Sequence, residues 1–248
     1  MSTTEVDRIV AWLARRGRRR NRLGMARYGI TSARAFGVSA ATMRPLVRRL
    51  GRRHGLALAL WRAGWHETRV LAALVDEPSM VTPAQMEAWA RASDNWAVCD
   101  TVCLHLFDRT PHAPAKIRAW SRRRAEFVKR AAFALIAGVA VHDRTRPDGD
   151  FQEWLRIIER EAGDGRNYVR TAVSWALRQV GKRSVPLNGA ALAVAGRLAG
   201  SEAPAARWVG TDARRELLSP AVQARLRRRR AAAPSPRRSD KRRRPQAY

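Results

Sequence analysis

The chain has 248 residues, 46% of them hydrophobic, and carries 49 Lys and Arg against 21 Asp and Glu, a formal net charge of +28. Enough apolar residues are present to bury a core, which excludes a chain disordered throughout, and the charge points to a polyanionic partner, nucleic acid first. The longest apolar run, Ala131 to Val141, is 11 residues, about half of a bilayer span, so no membrane helix is expected.

The N-terminus has no apolar signal core, because Glu5 and Asp7 interrupt it and a run of Arg from Arg15 to Arg22 follows. A cytoplasmic, nucleoid-associated protein is expected. Ser2 to Glu5 resembles a capping box, and Val6, Ile9, Val10 and Leu13 follow at helical spacing, which predicts a first helix to about Arg16. A Gly- and Arg-rich connector should then lead through Tyr28 and Phe36 to Ser39, an N-cap for a helix containing Met43, Leu46, Val47 and Leu50. Helices are predicted over Leu56–Ala63, Glu67–Val75, Pro83–Trp89, Ser93–Phe107, Ala113–Ala119, Ala125–Val141, Phe151–Glu161, Asn167–Gly181, Leu187–Leu198 and Glu202–Val209. No stretch alternates with a period of two. The chain therefore reads as all-α, with antiparallel helix pairs in the manner of an α-solenoid of HEAT-like units; a compact orthogonal bundle is the alternative. The folded unit is expected over residues 1–220, with residues 221–248 as a disordered Arg/Lys-rich tail broken by Pro.

One position breaks the apolar pattern. On the Ser93–Phe107 helix, Trp96, Asp100, Cys103 and Phe107 share a stripe, so Asp100 stands where a hydrophobe belongs. A carboxylate there needs a cation and hydrogen bonds, or is tuned for chemistry. Arg130 is the last charge before the Ala131–Val141 run on its own helix, and a guanidinium at such an edge suits a bidentate carboxylate. Two readings stand for it: partner of Asp100, or end of a solvated basic face. Trp175 lies off the core face of its helix, in a row with Tyr168, Thr171, Arg178, Gln179 and Lys182, and reads either as packing or as a ligand surface. Cys99 and Cys103, one turn apart, read as small core residues.

Other chemistries find no support. Trp65-His66-Glu67-Thr68-Arg69-Val70 starts like a zinc-protease helix, but Val70 replaces the second His. No Walker-type phosphate loop, Gly-x-Ser-x-Gly elbow, zinc finger, leucine zipper or RNA-recognition motif occurs. No metal or cofactor is expected.

Several linked motifs in order, spanning roughly Met25 to Leu217, resemble the DNA alkylation repair family, the AlkD-like alkylpurine DNA glycosylases with HEAT-like repeats. They are Met25-Ala26-Arg27-Tyr28 with Phe36-Gly37-Val38, Leu60-Trp61 with His66-Glu67-Thr68-Arg69, Trp96-x-x-x-Asp100, Phe127-Val-Lys-Arg130-Ala-Ala, and Trp175-Ala-Leu-Arg178. The resemblance implies a right-handed α-solenoid with a concave basic face. It assigns Asp100 and Arg130 as catalytic residues, Trp96 and Trp175 as walls of the cleft, and Tyr28 as a contact near the DNA backbone. Lys129, Arg170, Arg178, Lys182 and Arg183 are the further backbone contacts expected beside them. The implied reaction is hydrolysis of the N-glycosidic bond of N3- or N7-alkylated purines in double-stranded DNA by a monomer. The competing readings are a non-catalytic HEAT-like module for DNA or structured RNA, and a basic nucleoid-type protein whose tail does the binding.

Overall fold

The structure, a computed structural model, describes residues 4–232. Among them there are α-helices, two short 3₁₀ turns and no strand. Helix α1 (Glu5–Arg16) is capped by Thr4, whose hydroxyl accepts from the Asp7 amide at 3.1 Å while the Asp7 carboxylate accepts from the Thr4 amide at 3.0 Å. The capping box thus lies two residues beyond the Ser2–Glu5 pair that the sequence offered first. The connector after it is largely helical: α2 spans Arg19–Arg27. It buries no residue, so no apolar stripe betrays it, and a hydrogen bond from Asn21 Nδ2 to the Gly37 carbonyl at 2.8 Å ties it down.

The remaining helices fall close to their predicted places. They are α3 (Ala40–Leu50), α4 (His54–Ala63), α5 (His66–Val75), α6 (Pro83–Arg91), α7 (Trp96–His105) and α8 (Ala113–Trp120). After these come α9 (Glu126–His142), α10 (Asp148–Glu161), α11 (Asn167–Gly181), α12 (Val185–Ala199), α13 (Pro204–Leu217) and α14 (Pro220–Ala232). Ser39 caps α3 as expected, accepting from the Thr42 amide at 3.2 Å, and Asn95 caps α7 from the Val98 amide at 3.1 Å. Helix α7 stops two residues short of the expected Phe107, which sits in a 3₁₀ turn, fully buried between Trp89 and Trp120.

Two expectations about the C-terminal end change. Helix α13 runs eight residues past Val209, and α14 occupies the first part of the segment expected to be a disordered tail. Val222 and Leu226, one turn apart, are buried where α14 meets α12 and α13. The Gln223 amide bonds the Leu217 carbonyl at 2.7 Å and Asn188 Oδ1 at 3.2 Å. Two apolar residues among arginines are a weak signal in sequence and a sufficient one in space. The rest of the expected tail, residues 233–248, lies outside the described residues.

The helices pack in two rows. Helices α3, α5, α7, α9, α11 and α13 each pack on the next in that row, and the others back them: α4 on α5, α6 and α8 on α9, α10 on α11, α12 on α11 and α13. This neighbour-to-neighbour order is that of a HEAT-like solenoid rather than a bundle. One buried cluster runs from Ile9 to Leu217. Helix α9 is its centre, buried without a break from Val128 to Ala140, so any charge in that stretch must be satisfied by the protein itself.

Candidate active site

Arg130 occupies the second turn of α9 and is only 6% exposed. Its Nε and Nη2 donate to Asp100 Oδ1 and Oδ2 at 2.8 and 2.7 Å, a bidentate pair across α7 and α9. Nη1 reaches α11, donating to the Tyr168 carbonyl at 2.7 Å and to Thr171 Oγ1 at 3.3 Å. The guanidinium therefore locks three consecutive helices of one row, and of the two readings of Arg130 the ion pair is the correct one. Cys99 and Cys103, on the same α7 segment, are buried free thiols facing the Phe127 and Ala131 carbonyls, as their reading as core residues required.

The Asp100 side chain retains 14% exposure, so the pair is not wholly sealed within the core. Burial pushes its carboxyl above the ordinary value, and the hydrogen bonds and charge of Arg130 oppose the shift without cancelling it. Asp100 makes the Arg130 guanidinium harder to deprotonate despite its burial. Each carboxylate oxygen accepts one N–H from Arg130 and keeps a lone pair for a water or a positive centre.

Trp96, one turn before Asp100, is partly exposed, and its ring centroid lies 6.0 Å from the Arg130 guanidinium carbon. Its Nε1 donates to the Tyr28 carbonyl at 2.8 Å, which fixes the indole and brings the loop after α2 to the site. That loop is held a second time by Tyr168, whose hydroxyl donates to the Gly29 carbonyl at 3.2 Å. Gly29 has φ +74°, and a Cβ on it would stand 2.2 Å from the Tyr168 hydroxyl, so only glycine fits. Tyr28 itself is 76% exposed beside Trp96, on the rim of an open, mainly apolar hollow that Met25 and Ile30 also line.

The structure thus brings Asp100, Arg130, Trp96 and Tyr28 together. Trp175 is half-buried against the core on α11, one turn beyond Thr171; among the described residues no hydrogen bond, ring or cation–π contact joins it to the other four. The five expected backbone cations are engaged within the protein. Lys129 is buried, its Nζ between Glu161 at 2.7 Å and Asp164 at 2.9 Å. Arg178 pairs with Asp212 and Glu216, and Lys182 with Glu216. Arg183 donates to the Asp143 and Arg146 carbonyls, both at 2.6 Å, and lies over Phe151. Arg170 lies over Trp208 at 4.5 Å. Each of these cations thus already has a partner within the protein. Exposed cations on segments that adjoin the site in the chain are Arg27, next to Tyr28, and Arg122 and Arg124 in the turn before α9. The signal for the latter was in the sequence, as the start of the basic run that Arg130 ends.

A family model described as DNA alkylation repair enzyme matches residues 9–217, most of the chain. The chain belongs to this family. No curated protein matches it. Among solved structures it is similar to a protein described as one of a new family related to the HEAT-like repeat DNA glycosylases, with affinity for branched DNA structures; the two share 16% identity, with a TM-score of 0.70 over 78% of this chain and 83% of the other. At that identity the likeness speaks for the fold alone. In this family member the bidentate Asp100–Arg130 pair, with Trp96 beside it, joins α7, α9 and α11.

Proposed function

We propose that this protein is a monofunctional DNA glycosylase that hydrolyses the N-glycosidic bond of cationic N3- or N7-alkylated purines in duplex DNA. The observation that carries the reading is the Asp100 carboxylate, held bidentate by buried Arg130 with Trp96 alongside, on a side chain that keeps 14% exposure. An alkylated purine is already a cation, so its departure takes the bonding electron pair and leaves a neutral base, with no general acid required. Positive charge then develops on the sugar ring. Ionised Asp100 stabilises that charge and orients a water, whose oxygen bonds the anomeric carbon and whose proton passes to solvent; a fixed charge of this kind is typically worth 10²–10³ in rate. Arg130 holds the carboxylate in position and shields it from protonation. The Trp96 face borders the growing sugar cation, and Trp175, on the α11 turn after Thr171, is assigned to the same cleft.

Backbone phosphates, gripped by exposed cations such as Arg27, Arg122 and Arg124, supply the sequence-independent, salt-sensitive part of the affinity. The protein acts in this reading as a cytoplasmic, nucleoid-associated monomer. A second reading, a non-catalytic DNA-binding module, is favoured by one observation: the structural neighbour has affinity for branched DNA, and an Asp–Arg pair across three helices also serves as a purely structural tie.

The deciding experiment is release of 7-methylguanine or 3-methyladenine from alkylated DNA by the purified chain and by Asp100→Asn. The glycosylase reading expects release by the intact chain and a loss of at least about 100-fold in the variant, with DNA affinity little changed. DNA binding without release supports the binding module, and equal activity of the variant removes Asp100 from the mechanism.

A further inference from the structure

A cavity of about 710 Å³ opens at the ends of α9 and α11 remote from the Asp100–Arg130 pair. Arg130 and Thr171 stand near the N-termini of those helices; the cavity is lined by the last turn of α9, the α9–α10 and α11–α12 turns, and α14. From Arg130 to Ala140 along α9, at 1.5 Å per residue, the two places are about 15 Å apart. The cavity is therefore not part of the Asp100 site.

Three arginines converge on it. Arg144 comes from the α9–α10 turn, and Arg225 and Arg229 stand one turn apart on α14. All three are exposed, and among the described residues none forms an ion pair. Backbone oxygens aim two of them: Arg144 Nε donates to the Val141 carbonyl at 3.2 Å, and Arg229 Nη1 to the carbonyls of Lys182 and Arg183 at 3.2 Å each. The other lining cations have carboxylate partners, Arg146 with Asp143 and Asp150, and Lys182 with Glu216. The lining carboxylate, Asp148, is taken by Ser184 at 2.6 Å and approached by Arg183 at 3.5 Å. Among the described residues, the cavity thus holds three positive charges with no anion to balance them. Partial burial, and then the charges of Arg144, Arg225 and Arg183, lower the Arg229 value from its usual range, the mark of like charges pressed together. Guanidinium forks match phosphate oxygens two at a time, and an anion here would relieve the mutual repulsion.

We infer that this cavity is a second phosphodiester site, which takes the backbone of a DNA segment other than the one at Asp100 and Trp96. The inference rests on the reading of the protein as one that acts on DNA. It explains why α14, with few apolar residues, is docked where it is: Val222 and Leu226 anchor it so that Arg225 and Arg229 face the α11–α12 turn.

The test compares the full chain with Arg144→Gln/Arg225→Gln/Arg229→Gln, and with a control, Arg44→Gln/Arg48→Gln/Arg49→Gln on α3, that removes the same charge elsewhere. Affinity is measured against salt for a short duplex that fills only the cleft and for a three-way junction that supplies a further arm. On the junction, the cavity variant should lose roughly tenfold in affinity and about two to three units of the slope of log affinity against log salt. On the short duplex its binding and base release should match the full chain, the α3 control should lose less on the junction, and the triple Arg→Lys variant should retain most of the junction affinity. Equal losses from the cavity and α3 variants, or an unchanged junction slope, overturn the inference. So does a thermal stabilisation by inorganic phosphate that the cavity variant lacks while its junction binding is intact, which assigns the cavity to a small phosphate compound. Failure of the full chain to bind either DNA sinks the parent reading, whereas normal wild-type binding with an indifferent cavity variant sinks this site alone.

Discussion

Asp100 is a carboxylate whose surroundings work against its charge. Burial raises its protonation range, and Arg130 restrains that rise. Catalysis in the proposed reaction needs the ionised form, while the alkylated purine remains cationic throughout the acid range. Base release should therefore fall as pH drops through a midpoint above the ordinary Asp value of about 3.9, and level off once Asp100 is ionised. A pH profile of single-turnover release checks this; an acid limb at or below the ordinary value would contradict it. The stability sign runs the other way. A folded state that holds its proton more tightly than the unfolded chain loses stability as pH rises through that window, so Asp100 does not protect the fold at neutral pH.

Single helices were legible where they bury a stripe or own a cap. Ser39 caps α3 through its hydroxyl oxygen, a signal contained within four residues, whereas Asn95, which caps α7, lay inside the helix expected from Ser93. Helix α2 was not legible, because it buries nothing and so carries no periodicity. The Phe36-Gly37-Val38 and Glu67 motifs turn out to be one feature. Glu67 on α5 is fully buried and accepts the amides of Phe36, Gly37 and Val38 at 3.0, 2.6 and 3.0 Å, while Gly37, at φ +81°, turns the chain into place. The zinc-protease likeness around His66 was a coincidence of this structural carboxylate. Glu67→Gln replaces acceptors by an amide that offers donors to donors, and should cost about 2–3 kcal/mol, read as a fall in unfolding midpoint without loss of the Asp100 chemistry. An unchanged midpoint would mean that the loop finds other acceptors.

At the scale of the molecule, the +28 charge is unevenly spent. Lys129, Arg178, Lys182 and Arg183 are bound to carboxylates and carbonyls inside the solenoid, so part of that charge is balanced within the protein. Removal of residues 233–248 takes away six Lys and Arg and leaves α14 intact. It should weaken DNA binding and flatten its salt dependence with the melting temperature unchanged; binding measured against salt decides it. Truncation before Pro220 also exposes the surface that Val222 and Leu226 cover, and should lower the melting temperature as well.

The sequence by itself determined most of the helices, the Ser39 cap and the oddity of Asp100, because apolar spacing, capping and an unmatched charge are properties of neighbouring residues. It even named Arg130, since a buried charge states its own need. Tertiary structure decided what depends on distant residues: that Tyr168 and Thr171 complete the Arg130 shell, that the Gly29 loop crosses to Trp96 and Tyr168, and which of many arginines are already paired. A cation's availability is set by the carboxylate that packing brings to it, and a local pattern cannot contain that information.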